Sequence, residues 1–374
     1  MRVTWDQVFA WRLARQHISE PGDSVTGIVG RLCGVQAQVG SSAETAVALR
    51  SATPESGALA RELASGALVK TWSMRGTLHA LTPESAAAFL PLVAAARTWE
   101  KPVWQRNFGA TPQEVAALGE AVSALLADKA LTREELVDAL LADAAFHRMG
   151  EQLRSGWGAL LKPLAWQGVL CHGPAQGNRV TFTSPARLVP TWRALPDPEE
   201  AAPAAITAYL NAHGPASPEA FDAWLTRGAL RKTVVRGWFA DLGEDLVELD
   251  VEGRRAYLTA EHADDLAATE PTPSVHLLGP FDQYILGPGT GDEAILPKPH
   301  RAAVSKTAGW IAPIVVVDGR ITGTWESTDT EIVVTPFADT TIPADALAKA
   351  ASHVATSIGH EDLPIRLSRQ DTSK

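Results

Sequence analysis

Gln36-Ala37-Gln38 follows an apolar helical run and is closed by Gly40-Ser41-Ser42, which sets two side-chain amides at positions i and i+2. On a continuing helix those side chains would diverge, so they converge on one object only where the chain leaves the helix and becomes extended. A converging amide pair offers both donors and acceptors, enough to hold a water. Taken alone, two glutamines beside a helix end read as a solvated surface or a cap. The rest of the chain has to argue for anything more.

Composition narrows the classes. A chain of 374 residues, 45% hydrophobic, has the length for two or three domains with a real core. It contains no run of about 18 apolar residues. Met1-Arg2-Val3-Thr4-Trp5 passes straight into an amphipathic pattern without a signal-like hydrophobic region, so the expected location is cytoplasmic. The two cysteines, Cys33 and Cys171, are too few and too far apart in sequence for a disulfide framework or a Cys-rich zinc site. The ten histidines lack ligand spacing, and His147, His213 and His353 read as surface or satisfied core residues. No metal and no cofactor are expected.

Charge is distributed unevenly within the net of −10. Residues 1–110 carry 11 Lys and Arg against 8 Asp and Glu, 111–190 carry 7 against 8, 191–272 carry 7 against 15, and 273–374 carry 8 against 12. A protein gripping many phosphates nonspecifically would not be acidic over its C-terminal two thirds, whereas one contacting a short piece of DNA through a local basic surface could be.

The elements that must carry these residues are well punctuated. Thr4 with Gln7, Thr111-Pro112 with Glu114, and Thr132 with Glu135 fit capping boxes, and Thr53-Pro54, Thr82-Pro83 and Ser217-Pro218 put proline at a first helical position. The order helix, turn, helix, hairpin then recurs. One unit runs from the Val115, Leu118, Val122, Leu125 stripe through Leu136-Val137 and Leu140-Leu141 to a helix expected at 152–167, with a hairpin of 169–172 and 180–182. A second runs from 205–210 through 221–225 to a basic helix expected at 228–240, then strands at 246–251 and 254–258 around Glu252-Gly253. Two such units predict tandem winged helices, and the first 90 residues read as a third, divergent copy with strands at 68–72 and 76–81.

Beyond an acidic linker near 264–273 the pattern becomes β, with strands expected at 275–278, 284–286, 312–317, 320–325 and 330–335. A helix at 343–357 ended by Gly359 and an extended piece at 363–367 follow. The expected fold class is α+β, with domains at 1–110, 111–190, 191–272 and 273–374.

Four motifs occur in order: Gln36-Ala37-Gln38, Ser73-Met74-Arg75-Gly76-Thr77-Leu78-His79, Phe281-Asp282-Gln283-Tyr284-Ile285-Leu286-Gly287, and Ala308-Gly309-Trp310-Ile311 with Val317-Asp318-Gly319-Arg320. Together they resemble the AlkZ/YcaQ-type winged-helix DNA glycosylases over essentially the whole chain. Gln38 at the second motif position, where the YcaQ-like branch has an acid, points to the AlkZ-like branch. The resemblance implies a monomer with three winged helices and an antiparallel β domain, C-shaped around a channel for double-stranded DNA. It also implies monofunctional excision of N7-alkylated purines, in some members with unhooking of bulky adducts or interstrand crosslinks made by genotoxic natural products.

Under that reading Gln36 and Gln38 are the catalytic residues. An N7-alkylated guanine is already cationic and leaves without strong acid, so amide dipoles suffice to stabilise an oxocarbenium-like sugar and position a water. Neutral lesions such as ethenoadenine or uracil should be poor substrates. Arg75 and His79, four apart on an expected strand, are assigned to the channel wall, with an Arg tied to a local carboxylate as the other reading. Lys70 reads as a strand residue facing solvent or phosphate rather than a Schiff-base nucleophile.

Further DNA contacts are expected at Arg154, Lys162, Arg227, Arg231, Lys232 and Arg236 on the third helices, at Lys298, His300 and Arg301 in a loop, and at Asn178 and Arg179 on a hairpin tip that could probe the minor groove. Trp157, Trp166, Trp224 and Trp238 fall in apolar helical patterns and are assigned to the core. The rival classes are a non-catalytic winged-helix DNA-binding regulator and a drug-sequestering resistance protein. Net acidity and a β domain that a simple repressor does not need weigh against the first.

Overall fold

The three capping boxes form as the sequence requires. In the first, Gln7 donates its backbone N–H to the Thr4 hydroxyl at 3.2 Å and its side chain accepts from the Thr4 N–H at 3.0 Å. Thr111–Glu114 and Thr132–Glu135 repeat the reciprocal arrangement at the starts of helices Pro112–Leu126 and Arg133–Leu141. The structure, a computed structural model, describes residues 1–338 and 340–368.

The opening segment does not pack within its own third of the chain. Strand Arg2–Val3 runs parallel to Leu246–Val251, which pairs in turn with Arg254–Thr259 across the Glu252-Gly253 turn. Helix Trp5–Arg15 then divides its apolar residues. Val8 and Trp11 join Leu249, Val251 and Leu258, while Phe9 and Leu13 join Leu278, Ile285, Ile314 and Phe337 of the C-terminal part.

Ser24 caps helix Val25–Arg31, and the chain leaves it through Cys33 and Gly34, both at positive φ. Gly34 sits at φ 101°, and a Cβ there would stand 2.3 Å from the Leu81 side chain, so only glycine makes this turn. The turn delivers strand Val35–Gln36 to a six-stranded sheet. Its order is Val35–Gln36, Leu78–Leu81, Val69–Trp72, Cys171–His172, Thr181–Thr183 and Leu131–Thr132. The Lys70–His172 pairing makes one sheet of strands from the first two expected domains. Over this sheet lies the main core, in which helix Pro83–Ala95 packs on Pro198–His213.

Several expectations need correction. The helix expected at 152–167 is broken into Gly150–Arg154 and Lys162–Trp166, because Ser155-Gly156-Trp157-Gly158 turns the chain, with Gly158 at φ 62°. The helix expected from Thr53-Pro54 begins only at Ala58, after a left-handed Gly57. The basic helix starts late, at Lys232–Asp241, since Arg227 and Gly228 both have positive φ.

The C-terminal sheet runs Val275–Leu278, Ile314–Val317, Arg320–Ser327, Ile332–Pro336 and Ile365–Leu367. Its first three pairings are antiparallel and the last is parallel. The strand expected at 284–286 is instead a helical turn, Gln283–Leu286, capped by Asp282, whose carboxylate accepts from the Tyr284 N–H at 2.8 Å. Helix Ala344–Ser357 covers the sheet and ends before Gly359 at φ 89°. Among the described residues no helix is long and apolar enough to cross a membrane, and no group of three potential metal ligands occurs.

Candidate active site

Val35–Gln36 is a strand, and the chain runs on through Ala37 to a bend at Gln38. Val35 and Gln36 pair with Ala80 and His79, and the Ala37 N–H donates to the Leu78 carbonyl at 2.8 Å. The strand ends at Gln36, the chain bends at Gln38, and both amides are tied to the segment 75–78 by Arg75 and the Leu78 N–H. Gln36 is nearly buried, at 8% exposure, while Gln38 is exposed. The amides are held by groups that can only donate. The Gln36 Oε1 accepts from Arg75 Nη2 at 3.4 Å, and the Gln38 Oε1 accepts from the Leu78 N–H at 3.4 Å. Each carbonyl is thereby turned toward the protein, leaving its second lone pair and the amide nitrogen for a ligand.

His79 lies opposite Gln36 in the sheet and is fully buried. Burial first, and the Arg75 cation second, hold its imidazole neutral by lowering its pKa to about 3. Its Nδ1 bonds the Thr77 carbonyl at 3.1 Å, and its Nε2 has no protein partner. His79 therefore underlies the amide pair rather than lining an open wall.

Arg75 does not share a strand face with it. Arg75 occupies the turn Met74–Gly76 in a left-handed conformation, φ 58°, ψ 12°. Its Nη1 donates to the Trp224 carbonyl at 2.9 Å, so its partners are a backbone carbonyl and Gln36, not the carboxylate considered from sequence. Burial, with Arg227 adding to it, lowers the guanidinium pKa to about 10, which still leaves it charged at neutral pH.

Lys162 joins this cluster: its Nζ lies 4.0 Å from where a Cβ on Gly76 would stand. Its pKa is lowered by burial and by Arg227. Among the described residues none of Arg75, Lys162 and Arg227 forms a salt bridge. Three cations from distant segments thus lie around the Met74–Gly76 turn, and of these Arg75 reaches the Gln36 amide.

The other sequence-nominated residues are spread more widely. Arg154, Arg231, Lys232, Lys298 and Arg301 are exposed, as are Asn178 and Arg179 at the hairpin tip. Arg236 is engaged by Glu219, at 3.0 and 2.6 Å. His300 stacks on Phe337, with ring centroids 4.0 Å apart and 8° between planes. Lys70 is half-buried, and burial lowers its pKa.

Trp166, Trp224 and Trp238 are core residues as expected, but Trp157 is 78% exposed. It sits on the glycine-rich turn that breaks the expected helix, with Lys162 Nζ 5.3 Å from its ring centroid. Sequence reasoning missed it because an apolar periodicity was carried through Gly156 and Gly158, whose flanking of a tryptophan was the available signal.

The amide pair lies beside a buried histidine held neutral and an arginine that forms no salt bridge among the described residues. The comparisons supply the class. The family model described as DNA glycosylase AlkZ-like matches residues 29–357. The chain is 53% identical to the interstrand DNA cross-link repair glycosylase of Streptomyces sahachiroi over 371 residues, covering 98% of this chain and 100% of that protein. The solved structure of Streptomyces sahachiroi DNA glycosylase AlkZ superposes with a TM-score of 0.96 at 53% identity, covering 98% of this chain and 100% of that one. This chain belongs to the AlkZ-like DNA glycosylase family and is a DNA glycosylase.

Proposed function

We propose that the enzyme hydrolyses the N-glycosidic bond of cationic N7-alkylated purines in double-stranded DNA, with Gln36 and Gln38 as its catalytic residues. The observation that carries this reading is the fixed amide pair at the end of strand Val35–Gln36, whose neighbouring imidazole is held neutral. In the reaction the water oxygen bonds to C1′ as the C1′–N9 bond breaks. The bond pair leaves with the base and quenches the imidazolium cation, and one water proton passes to solvent. The amides orient the water and meet the oxocarbenium-like charge with their dipoles.

Bulky adducts and interstrand crosslinks from a genotoxic natural product belong to the proposed substrate range. The name of the Streptomyces sahachiroi relative supports the crosslink part of that range and a role in DNA repair; self-resistance belongs to the same proposal. We read the architecture as three winged-helix units and a β domain, C-shaped around a DNA channel, in a monomeric cytoplasmic enzyme. Lys162, Arg154, Arg231, Lys232, Lys298, Arg301, Asn178 and Arg179 are its exposed or half-exposed DNA contacts.

Release of N7-methylguanine from alkylated duplex, scored as abasic-site cleavage against a heat-only control, tests the reading. Gln36→Ala or Gln38→Ala is expected to slow release about 10²–10³-fold, as removal of one preorganised dipole does elsewhere, with the melting temperature retained. Unchanged rates in both variants would refute the assignment of the amide pair.

A further inference from the structure

We propose that Trp157 is a stacking platform for a nucleobase of the bound DNA beside the lesion, an inference that rests on Gln36 and Gln38 marking the reaction centre. Trp72, Trp99, Trp166, Trp224, Trp238 and Trp325 are buried and Trp310 is 43% exposed, whereas Trp157 is 78% exposed. A tryptophan can bury 150–250 Å² on packing, so leaving one in water forgoes the largest apolar gain a side chain offers.

The backbone that carries the residue is also held. The Trp157 N–H donates to the Ser155 hydroxyl at 3.3 Å, and the Gly158 N–H donates to the Ser155 carbonyl at 3.2 Å. Gly158 is wedged against Trp72, where a Cβ would stand 2.6 Å from the ring. The backbone under the indole therefore has little freedom, and presenting the ring costs little ordering entropy on binding.

Its surroundings choose the ligand. Lys162 Nζ lies 5.3 Å from the ring centroid. The same ammonium lies 4.0 Å from the Cβ position of Gly76, next to Arg75, whose Nη2 reaches Gln36. The exposed ring thus shares Lys162 with the Met74–Gly76 turn that carries Arg75, and among the described residues none of Arg75, Lys162 and Arg227 forms a salt bridge. An apolar protein partner would gain nothing from that ammonium. A nucleotide supplies a flat aromatic face for the indole and a phosphate for the Lys162 ammonium beside it. Holding one base on Trp157 opens the stack next to the lesion and exposes C1′ to the water at Gln36 and Gln38.

The test is binding by fluorescence anisotropy to a duplex containing a tetrahydrofuran abasic analogue with 2-aminopurine at its neighbour. Trp157→Ala is expected to weaken binding roughly 5- to 150-fold, the loss of one base–aromatic stack of about 1–3 kcal/mol. Trp157→Phe should stay within a few-fold of wild type, and both variants should melt at the wild-type temperature. Wild type and Trp157→Phe should quench 2-aminopurine while Trp157→Ala leaves it bright. Equal affinity and equal quenching across the three proteins would overturn the proposal. Release of N7-methylguanine separates the two readings, since wild-type release by Gln36→Ala and Gln38→Ala together with lost quenching in Trp157→Ala would sink the amide assignment and leave the stacking platform standing.

Discussion

Arg75 donates to the side-chain oxygen of Gln36 at 3.4 Å from a left-handed backbone position, while its other terminal nitrogen holds the Trp224 carbonyl at 2.9 Å. A non-glycine residue in that conformation stores strain, and a charged side chain without a carboxylate stores desolvation cost, so the surrounding packing must over-determine both. The arrangement fixes which way the Gln36 amide points.

Arg75→Ala is accordingly expected to lower kcat roughly tenfold, about the worth of one charge-assisted hydrogen bond, with KM nearly unchanged. The dependence of DNA affinity on salt discriminates between roles. A positioning residue leaves the slope of log K against log salt as in wild type, whereas loss of a phosphate contact reduces it by about one. The double variant with Gln36→Ala should be no slower than Gln36→Ala alone.

Acid should destabilise the protein well above the carboxylate range. Burial lowers the pKa values of His79 and His213 to about 3, against an ordinary value of 6.5. Between those limits the unfolded chain binds protons that the folded chain refuses, so stability is full above about 6.5 and falls as pH drops toward 3. Each histidine contributes up to about 1.4 kcal/mol per pH unit. Denaturant midpoints measured from pH 7.5 to 5 should fall steadily, and substitution of His213 by an uncharged residue of similar size should flatten the curve. A flat wild-type profile would contradict the buried neutral state.

Arg50 and Asp282 form a bidentate pair at 2.8 and 2.7 Å, both side chains fully buried, that ties the end of helix Gly40–Ala48 to the capped turn at 283–286. Arg50 also donates to the carbonyls of Gln16 and Ala46, at 2.9 Å each. Breaking the pair with Asp282→Ala strands a buried cation, and the expected loss is about 3–5 kcal/mol. Replacing both partners by apolar residues should cost much less than the two single losses together, which urea unfolding of the four proteins would show.

Substrate charge should govern rate. An amide pair beside an imidazole held neutral supplies no strong acid, so release of 1,N6-ethenoadenine or uracil is expected at background under conditions where N7-methylguanine is freed. Comparable rates on a neutral base would require a general acid that the site does not contain among the described residues.

Local signals carried the sequence reading where they were strong. Thr4, Thr111 and Thr132 announced their helices through partners three residues away, and Gln36 and Gln38 pointed to a chain that has left the helix, as strand Val35–Gln36 has. What the sequence hid was long-range or conformational. Nothing near Arg2 or Phe9 names residues 250 and 285 as partners. Arg75 was set on one strand face with His79 although it falls between the two expected strands, and its left-handed turn takes it off that face. Asp282 turned an apolar run into a capped helical turn because its carboxylate was already fixed by Arg50, and Trp157 left the core because two glycines ended its helix. The roles of individual basic residues stayed open, since Lys and Arg at helical spacing look alike whether they face phosphate or water.

The parallel seating of Arg2–Val3 on Leu246–Val251 sets an order of events during synthesis. The first helix carries Val8, Phe9, Trp11 and Leu13 toward surfaces built from residues 249–258 and 278–337. At about 5–20 residues per second, its apolar partners follow some 12–50 s after it emerges from the ribosome. Its apolar face stays uncovered for that interval, and the last chain made is what covers the first.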